Sequence, residues 1–414
     1  MSWAKVVGAK VSPNSLLLTI LVVWLSGCAG INGNQLATDS ADISSARPSP
    51  ARNDSEFVYV ANLGVVGNGH GSISAFTIDG SSGALTPVPG SPFLVDDHPG
   101  AITAGPQGHH LFVLEKKFSL GGEVCTHVKG VLLSEAVHRN GVLSLADRVT
   151  LDGSCPASAV TDRAGKYLYV AMLKTDAVQR SEALLSEIQV FAMLPGGKLK
   201  EIPGSPFQLA PPLQTLAMHP DGKWLYAATA DDRNGILALP RDPQTGALGT
   251  ALTAAARPQS RLAIVPPDDL MIADTPATVD QISVLKIDES SGKLALQFTA
   301  PAVLPWGFSV HPSGQFVAVA ATQPTLGAPG EVLLYRIDAT TGSLTPLAGS
   351  AATGNGSFDV KFDPRGRFVY ATAMNDNTIN GFVFDSTSGK LAPVPGSPFA
   401  VGDSPVELAV VRPK

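Results

Sequence analysis

Seven short runs of apolar, β-branched and aromatic residues recur along the chain: Phe57 to Ala61, His110 to Leu114, Tyr167 to Ala171, Trp224 to Ala228, Leu270 to Ala273, Phe316 to Ala320 and Phe368 to Ala371. Their starts lie 46 to 57 residues apart. A repeat of this length is the mark of stacked supersecondary units, none of which buries its apolar face alone. Most runs follow a tight polar turn, as in His219-Pro220-Asp221-Gly222, His311-Pro312-Ser313-Gly314 and Asp363-Pro364-Arg365-Gly366. Pro presets the first turn torsion and Gly supplies the left-handed one, so each turn joins two strands of a hairpin. With 41 Gly and 33 Pro among 414 residues, long helices have little room.

Each unit predicts four strands. The strand before the turn is opened by Pro99, Pro156, Pro212, Pro258, Pro305 or Pro405, with Asn355 to Phe362 as the exception. A third strand follows the apolar run and ends in an Asp-x-x-x-Gly-x-Leu turn, as at Asp288 to Leu294, Asp338 to Leu344 and Asp385 to Leu391. One carboxylate per hairpin suits local capping, not the several oxygens of a calcium site. The fourth strand leads into Pro-Gly-Ser-Pro-Phe at 89 to 93, 203 to 207 and 395 to 399, read as the exit from an edge strand, where Pro is tolerated. Four antiparallel strands in seven units make an all-β, seven-bladed β-propeller over residues 56–414. The first unit lacks its inner strand and Pro405 to Val411 has nothing after it, so the C-terminal strand is expected to close the ring.

Residues 1–27 have the layout of an export signal. Lys5 and Lys10 precede an apolar run from Leu16 to Leu25, too short to span a bilayer as a helix. Leu25-Ser26-Gly27-Cys28 resembles the bacterial lipoprotein box, which implies acylation of Cys28, palmitate among the chains. Residues 28–55, rich in Ser, Ala, Asn, Asp and Pro, read as a flexible tether behind the lipidated Cys28. The expected address is the cell envelope, with the domain lipid-anchored at the outer membrane or facing the periplasm. Ala29 after the cysteine favours the outer membrane. Membrane attachment is through the lipid alone, since a net charge of -6 does not draw the body to anionic lipid. The same charge argues against nucleic acid, whose phosphates demand a basic surface. On the exported side Cys125 and Cys155 are expected to pair, because the topology puts both on one face of neighbouring blades.

Tyr59-Val60-Ala61-Asn62, the Pro220 to Tyr226 run and Ile337-Asp338 with Thr341-Gly342-Ser343-Leu344 resemble the lactonase family of seven-bladed propellers. That family includes the bacterial 6-phosphogluconolactonase and a fungal muconate-lactonizing enzyme. The resemblance spans roughly residues 57 to 411, and it implies a site at the channel mouth built around a His, an Arg and a Glu. The chain departs from that pattern. Pro156-Ala157-Ser158 carries Ala157 where the family has His, Pro212-Leu213-Gln214 lacks its Arg and His, and Ala230 replaces its Glu, with Asp231 one place on. Thr175-Asp176 matches the end of a family run whose first Asp is here Met172.

Asp176 and Asp231 are therefore the candidate catalytic groups. Trp306, Arg261 and Glu407, on or before inner strands, are the candidate ligand-binding residues, with Arg257 beside them. Trp306 suits stacking on a sugar ring, although an aromatic there equally suits packing between blades. His70, His98 and His127 fall in predicted loops near Asp96, Asp97 and Glu123 and are the candidate metal ligands, though no compact motif joins them. The other histidines read as turn or strand residues. No cofactor motif is present: there is no phosphate-cradling Gly loop before a helix, no nucleophile elbow and no CxxC pair. The leading expectation is a monomeric, membrane-anchored binding or interaction module for a small molecule, a glycan or an envelope protein. The alternative is a lactone hydrolase related to 6-phosphogluconolactonase.

Replacing Cys28 with Ala is expected to move the protein from the membrane fraction to the soluble fraction; a variant that stays fully membrane-bound would place the anchor elsewhere.

Overall fold

In the computed structural model, residues 55–414 are described, apart from 66–69, 117–128, 152–154, 174–185, 230–234, 256–259, 268, 275–280, 303 and 323–328. The signal segment, the tether, Cys28, Cys125, His127, Asp176, Asp231 and Arg257 lie outside the described residues. The strands form seven antiparallel sheets, each built on four strands; in six of them the four pair in chain order, and in the other the last strand of the chain pairs with the first. Every apolar run of the repeat is the second strand of a blade, as in Glu56–Asn62, Tyr167–Leu173 and Phe368–Ala373. Where the turn before it carries a Gly, that Gly has positive φ, +74° at Gly222 and +72° at Gly366.

These second strands show no polar alternation because both their faces are covered. Phe57, Tyr59 and Ala61 face blade two, while Val58 and Val60 face blade seven. The described core resolves into seven apolar clusters, one for each junction between neighbouring blades. Hydrogen bonds reinforce the packing at the outer ends. The Tyr59, Tyr169 and Tyr370 hydroxyls donate to the carbonyls of Gly141, Gly246 and Gly83, at 2.8, 3.0 and 2.8 Å, each in a hairpin of the next blade. Gly83 has φ +76°, and a Cβ there would lie 2.5 Å from the Phe368 ring, so aromatic and glycine are matched across the junction.

The Pro-Gly-Ser-Pro-Phe motif does more than leave an edge. Its serine side chain accepts a backbone N–H from the third strand: Ala75 to Ser91 at 2.9 Å, Val190 to Ser205 at 3.0 Å and Gly381 to Ser397 at 3.0 Å. The outer edge splits around it into two short strands, Leu85–Pro87 and Phe93–Leu94 in blade one, both paired with Ser72–Ile78. A side-chain oxygen thus replaces the ladder acceptor where the edge breaks.

The ring closes as expected from the sequence. Pro405–Val411 runs antiparallel to Glu56–Asn62, with Phe57 opposite Val411 and Ala61 opposite Glu407. Beneath the joint, the buried Glu56 carboxylate meets Arg365 at 3.0 Å and Arg367 at 3.4 Å from blade seven, with Arg412 at 3.8 Å. Val406, Leu408 and Val411 are each less than 5% exposed. Burial of three such side chains is worth on the order of 6 kcal/mol, comparable with the whole net stability of a typical domain. Deleting residues 405–414 should therefore unfold or aggregate the domain; a soluble truncation that melts at the parent temperature would contradict closure by this strand.

Candidate functional site

The first strand of every blade lines the central channel, and in most blades it begins irregularly. In blade two Pro99 pairs with Glu115 and Ala101 with Leu114, leaving Gly100 without a partner in the register. The same skip occurs at Ala157, Gln214 and Trp306, and at Phe358 with Asp359. An unpaired residue of this kind swings its side chain out of the alternation. Gly100, Ala157, Gln214, Trp306 and Phe358 all line one cavity of about 440 Å³ at the channel mouth. Blade one contributes Glu407, just after its own skipped residue Val406. Blade five contributes Arg261, just before the strand Leu262–Val265.

The wall is lopsided. Blades two and three present Gly100 and Ala157, whereas blades six and seven present Trp306 and Phe358, stacked with centroids 5.4 Å apart and planes 19° from parallel. Trp306 stacks on the neighbouring blade's Phe358 yet is 44% exposed and lines the cavity, so part of its ring stays open there. The Arg261 guanidinium lies over the other aromatic, 5.6 Å from the Phe358 centroid.

Charge enters from four blades. Arg261 Nη1 is 3.3 Å from Glu407 Oε1, a pair whose side chains are only about a quarter exposed. The second Glu407 oxygen accepts the Ile102 N–H at 3.2 Å, which fixes the carboxylate against blade two. Burial opposes the Arg261 charge, but Glu407, Asp359 and Asp274 together hold its pKa above the ordinary value. Asp274 ends the second strand of blade five, and one of its oxygens accepts the Ser260 and Arg261 N–H groups at 3.1 and 2.5 Å. Burial pushes its carboxyl up to about 6, against the pull of those donors and of the Arg261 charge. Lys116 reaches the cavity from the end of the second strand of blade two. Burial lowers the pKa of its ammonium; Glu407 raises it and Arg261 lowers it further.

The three residues expected to bind ligand, Trp306, Arg261 and Glu407, are thus brought into one cavity. Ala157 and Gln214, which stand where the resembled family has histidines, also lie on its wall. Of the candidate metal ligands, His127 lies outside the described residues, and His98 and His70 are placed as follows. His98, expected in a loop, opens the inner strand His98–Ala104, is buried, and bonds the Leu63 carbonyl at 2.5 Å through Nδ1. His70 is exposed and bonds the Asp96 carbonyl at 2.7 Å. Among the described residues no group of three or more His, Cys, Asp or Glu side chains is placed to hold a metal ion. Cys155 is disulfide-bonded, and the other two cysteines lie outside the described residues. Sequence reasoning missed Lys116 and Asp274, because both sit on second strands otherwise committed to the core. The signal for Lys116 was Gly100 after Pro99: a Cβ there would lie 2.7 Å from the Lys116 Cε, so the glycine leaves room for the lysine to lie where it does.

Residues 266–358 match the model of the family described as lactonase, 7-bladed beta-propeller. No curated protein matches the chain. Among solved structures it is similar to a Bacteroides fragilis protein described provisionally as a 6-phosphogluconolactonase, with a TM-score of 0.69 at 20% identity over 88% of this chain and 100% of that one. It is also similar to a periplasmic gluconolactonase of Pseudomonas aeruginosa, with a TM-score of 0.66 at 19% identity over 87% and 100%. A Lactobacillus plantarum protein gives 0.67 at 16% identity over 86% and 100%. The class these findings define is a seven-bladed β-propeller, one segment of which matches the lactonase family model. At these identities the likeness to the solved structures is one of fold.

The Asp274 carboxyl makes a signed prediction. Its folded pKa is above its ordinary value of 3.8, so the folded state holds the proton more tightly; the associated stability is complete below about pH 3.8 and is lost as pH rises through about 6. Relative to Asp274→Asn, whose amide oxygen accepts the same two N–H groups, the parent should lose up to about 3 kcal/mol between about pH 4 and pH 7. Denaturant titrations with a constant difference across that range would refute the shift.

Proposed function

We propose that the channel mouth binds and hydrolyses a sugar-sized lactone. The observation that carries this reading is the convergence of Asp274, Arg261 and Glu407 on one cavity walled by an exposed tryptophan. Arg261, held by Glu407, donates to the carbonyl oxygen as negative charge develops on it and then pairs with the carboxylate product. Asp274 is ionised in a large fraction near neutral pH yet basic enough to accept a proton from attacking water. Trp306 offers its face to the C–H surface of the ring. The family match over residues 266–358 and the gluconolactonase folds support the same class of substrate.

We propose further that this takes place at the cell envelope, with Cys28 carrying the lipid. The Lys5 to Cys28 layout supports it, as does a periplasmic protein among the similar folds. Export also disfavours a phosphorylated cytosolic substrate. A second reading, a module that binds a glycan or an envelope protein without turning it over, is favoured by Ala157 and Gln214, which supply neither base nor cation at the positions where the resembled family has histidines.

Glucono-1,5-lactone and its 6-phosphate, assayed against the spontaneous rate, separate the two. Turnover is expected, with Asp274→Asn and Arg261→Gln each lowering kcat by about 100-fold or more while melting at a similar temperature at one fixed pH. Hydrolysis at the buffer rate, with saturable glycan binding that Trp306→Ala abolishes, would establish the binding module instead.

A further inference from the structure

The lysine at the channel mouth has no task in that hydrolysis. Lys116 arches over Gly100 into the cavity, with its stem pressed against the glycine backbone. Among the described residues it makes no hydrogen bond or ion pair. Its surroundings are unusual for an ammonium. Glu407, the carboxylate that acts on it, is engaged by Arg261 and by the Ile102 N–H, and Arg261 adds a second positive charge to the same space. A surface lysine escapes such a field by rotating into water, whereas this side chain lies along Gly100 on the cavity wall.

We propose that Lys116 is a nucleophilic amine that condenses reversibly with a small carbonyl acid, an aldehyde or 2-oxo acid, seated in the channel mouth. The ligand's carboxylate would lie on Arg261, and its carbonyl carbon would then face Lys116. The Nζ lone pair attacks that carbon, forming the C–N bond as the carbonyl oxygen takes up a proton. The carbinolamine then loses one water to give the imine, with no net oxidation or reduction. Burial and the Arg261 charge, which lower the lysine pKa, raise the fraction of free amine at neutral pH. A cavity of about 440 Å³ admits an acid of a few carbons together with water for the reverse step. This chemistry does not depend on lactone turnover, so either reading can fail alone.

The test is reductive trapping on the purified full-length protein with glyoxylate and cyanoborohydride, which delivers hydride to the imine carbon and fixes a secondary amine. Peptide mass spectrometry should find the carboxymethyl adduct on Lys116 at least about tenfold faster at pH 7 than on the exposed Lys198 or Lys223. Arg261→Gln, which removes the carboxylate anchor as well as the charge that favours the free amine, should slow labelling by glyoxylate more than labelling by formaldehyde, which senses the amine alone. Labelling of Lys116 at or below the rate of the surface lysines overturns the proposal. So does glyoxylate labelling that Arg261→Gln slows no more than it slows formaldehyde labelling, because the carboxylate would then not be held in the cavity.

Discussion

Everything in this molecule depends on one strand pairing, that of Pro405–Val411 with Glu56–Asn62. A blade buries its two faces only against two neighbours, so a propeller has no stable partial form with a free end; both end blades would expose an apolar face. Closure supplies the seventh junction, where Val58, Val60 and Leu408 meet Phe368 and Tyr370. It also joins Glu56 with Arg365, which most of the chain separates, and brings Glu407 to Arg261. The functional site inherits this dependence. Glu407 is carried by the closing strand itself, so the ion pair at the channel mouth exists only in the completed ring.

The second constraint is the irregular start of the inner strands. A regular strand would send alternate side chains into the two flanking junctions and leave the channel lined by backbone. The skipped residues break that alternation at one level around the ring, and the chain spends that level on Gly100 and Ala157 on one side and Trp306 and Phe358 on the other. Space on one side of the cavity and an aromatic surface on the other follow directly. The charged groups then come from just outside the skipped positions, which is why Asp274 and Lys116 approach from second strands.

The blades were legible because their determinants are local and repeated: the Pro-x-Gly turn, the apolar run behind it and the Asp-to-Gly hairpin each act within a few residues. Ring closure was legible by subtraction, since one blade lacked a strand and one strand lacked a blade. The site was legible only in part. Trp306, Arg261 and Glu407 could be placed on inner strands by counting from the turns, but which residue of each strand faces the channel is set by the skip in register, and no composition marks it. Lys116 required knowing that its side chain runs along Gly100, the residue skipped in the register. His98 misled because a histidine beside Asp96 and Asp97 reads as solvated loop, whereas the chain has already entered an inner strand and turned the ring toward the Leu63 carbonyl. The serine of Pro-Gly-Ser-Pro-Phe misled in the other direction: its prolines signalled an edge, and its hydroxyl proved to be the acceptor that lets the edge break.

The most direct test is a crystal structure of the protein soaked with gluconate, the product expected of a gluconolactone. The ligand should lie at the channel mouth with its carboxylate on Arg261 and its carbon chain along the Trp306 face, close to Asp274. Gluconate bound only elsewhere, or a channel mouth holding solvent alone at saturating gluconate, would contradict the assignment of this cavity as the functional site.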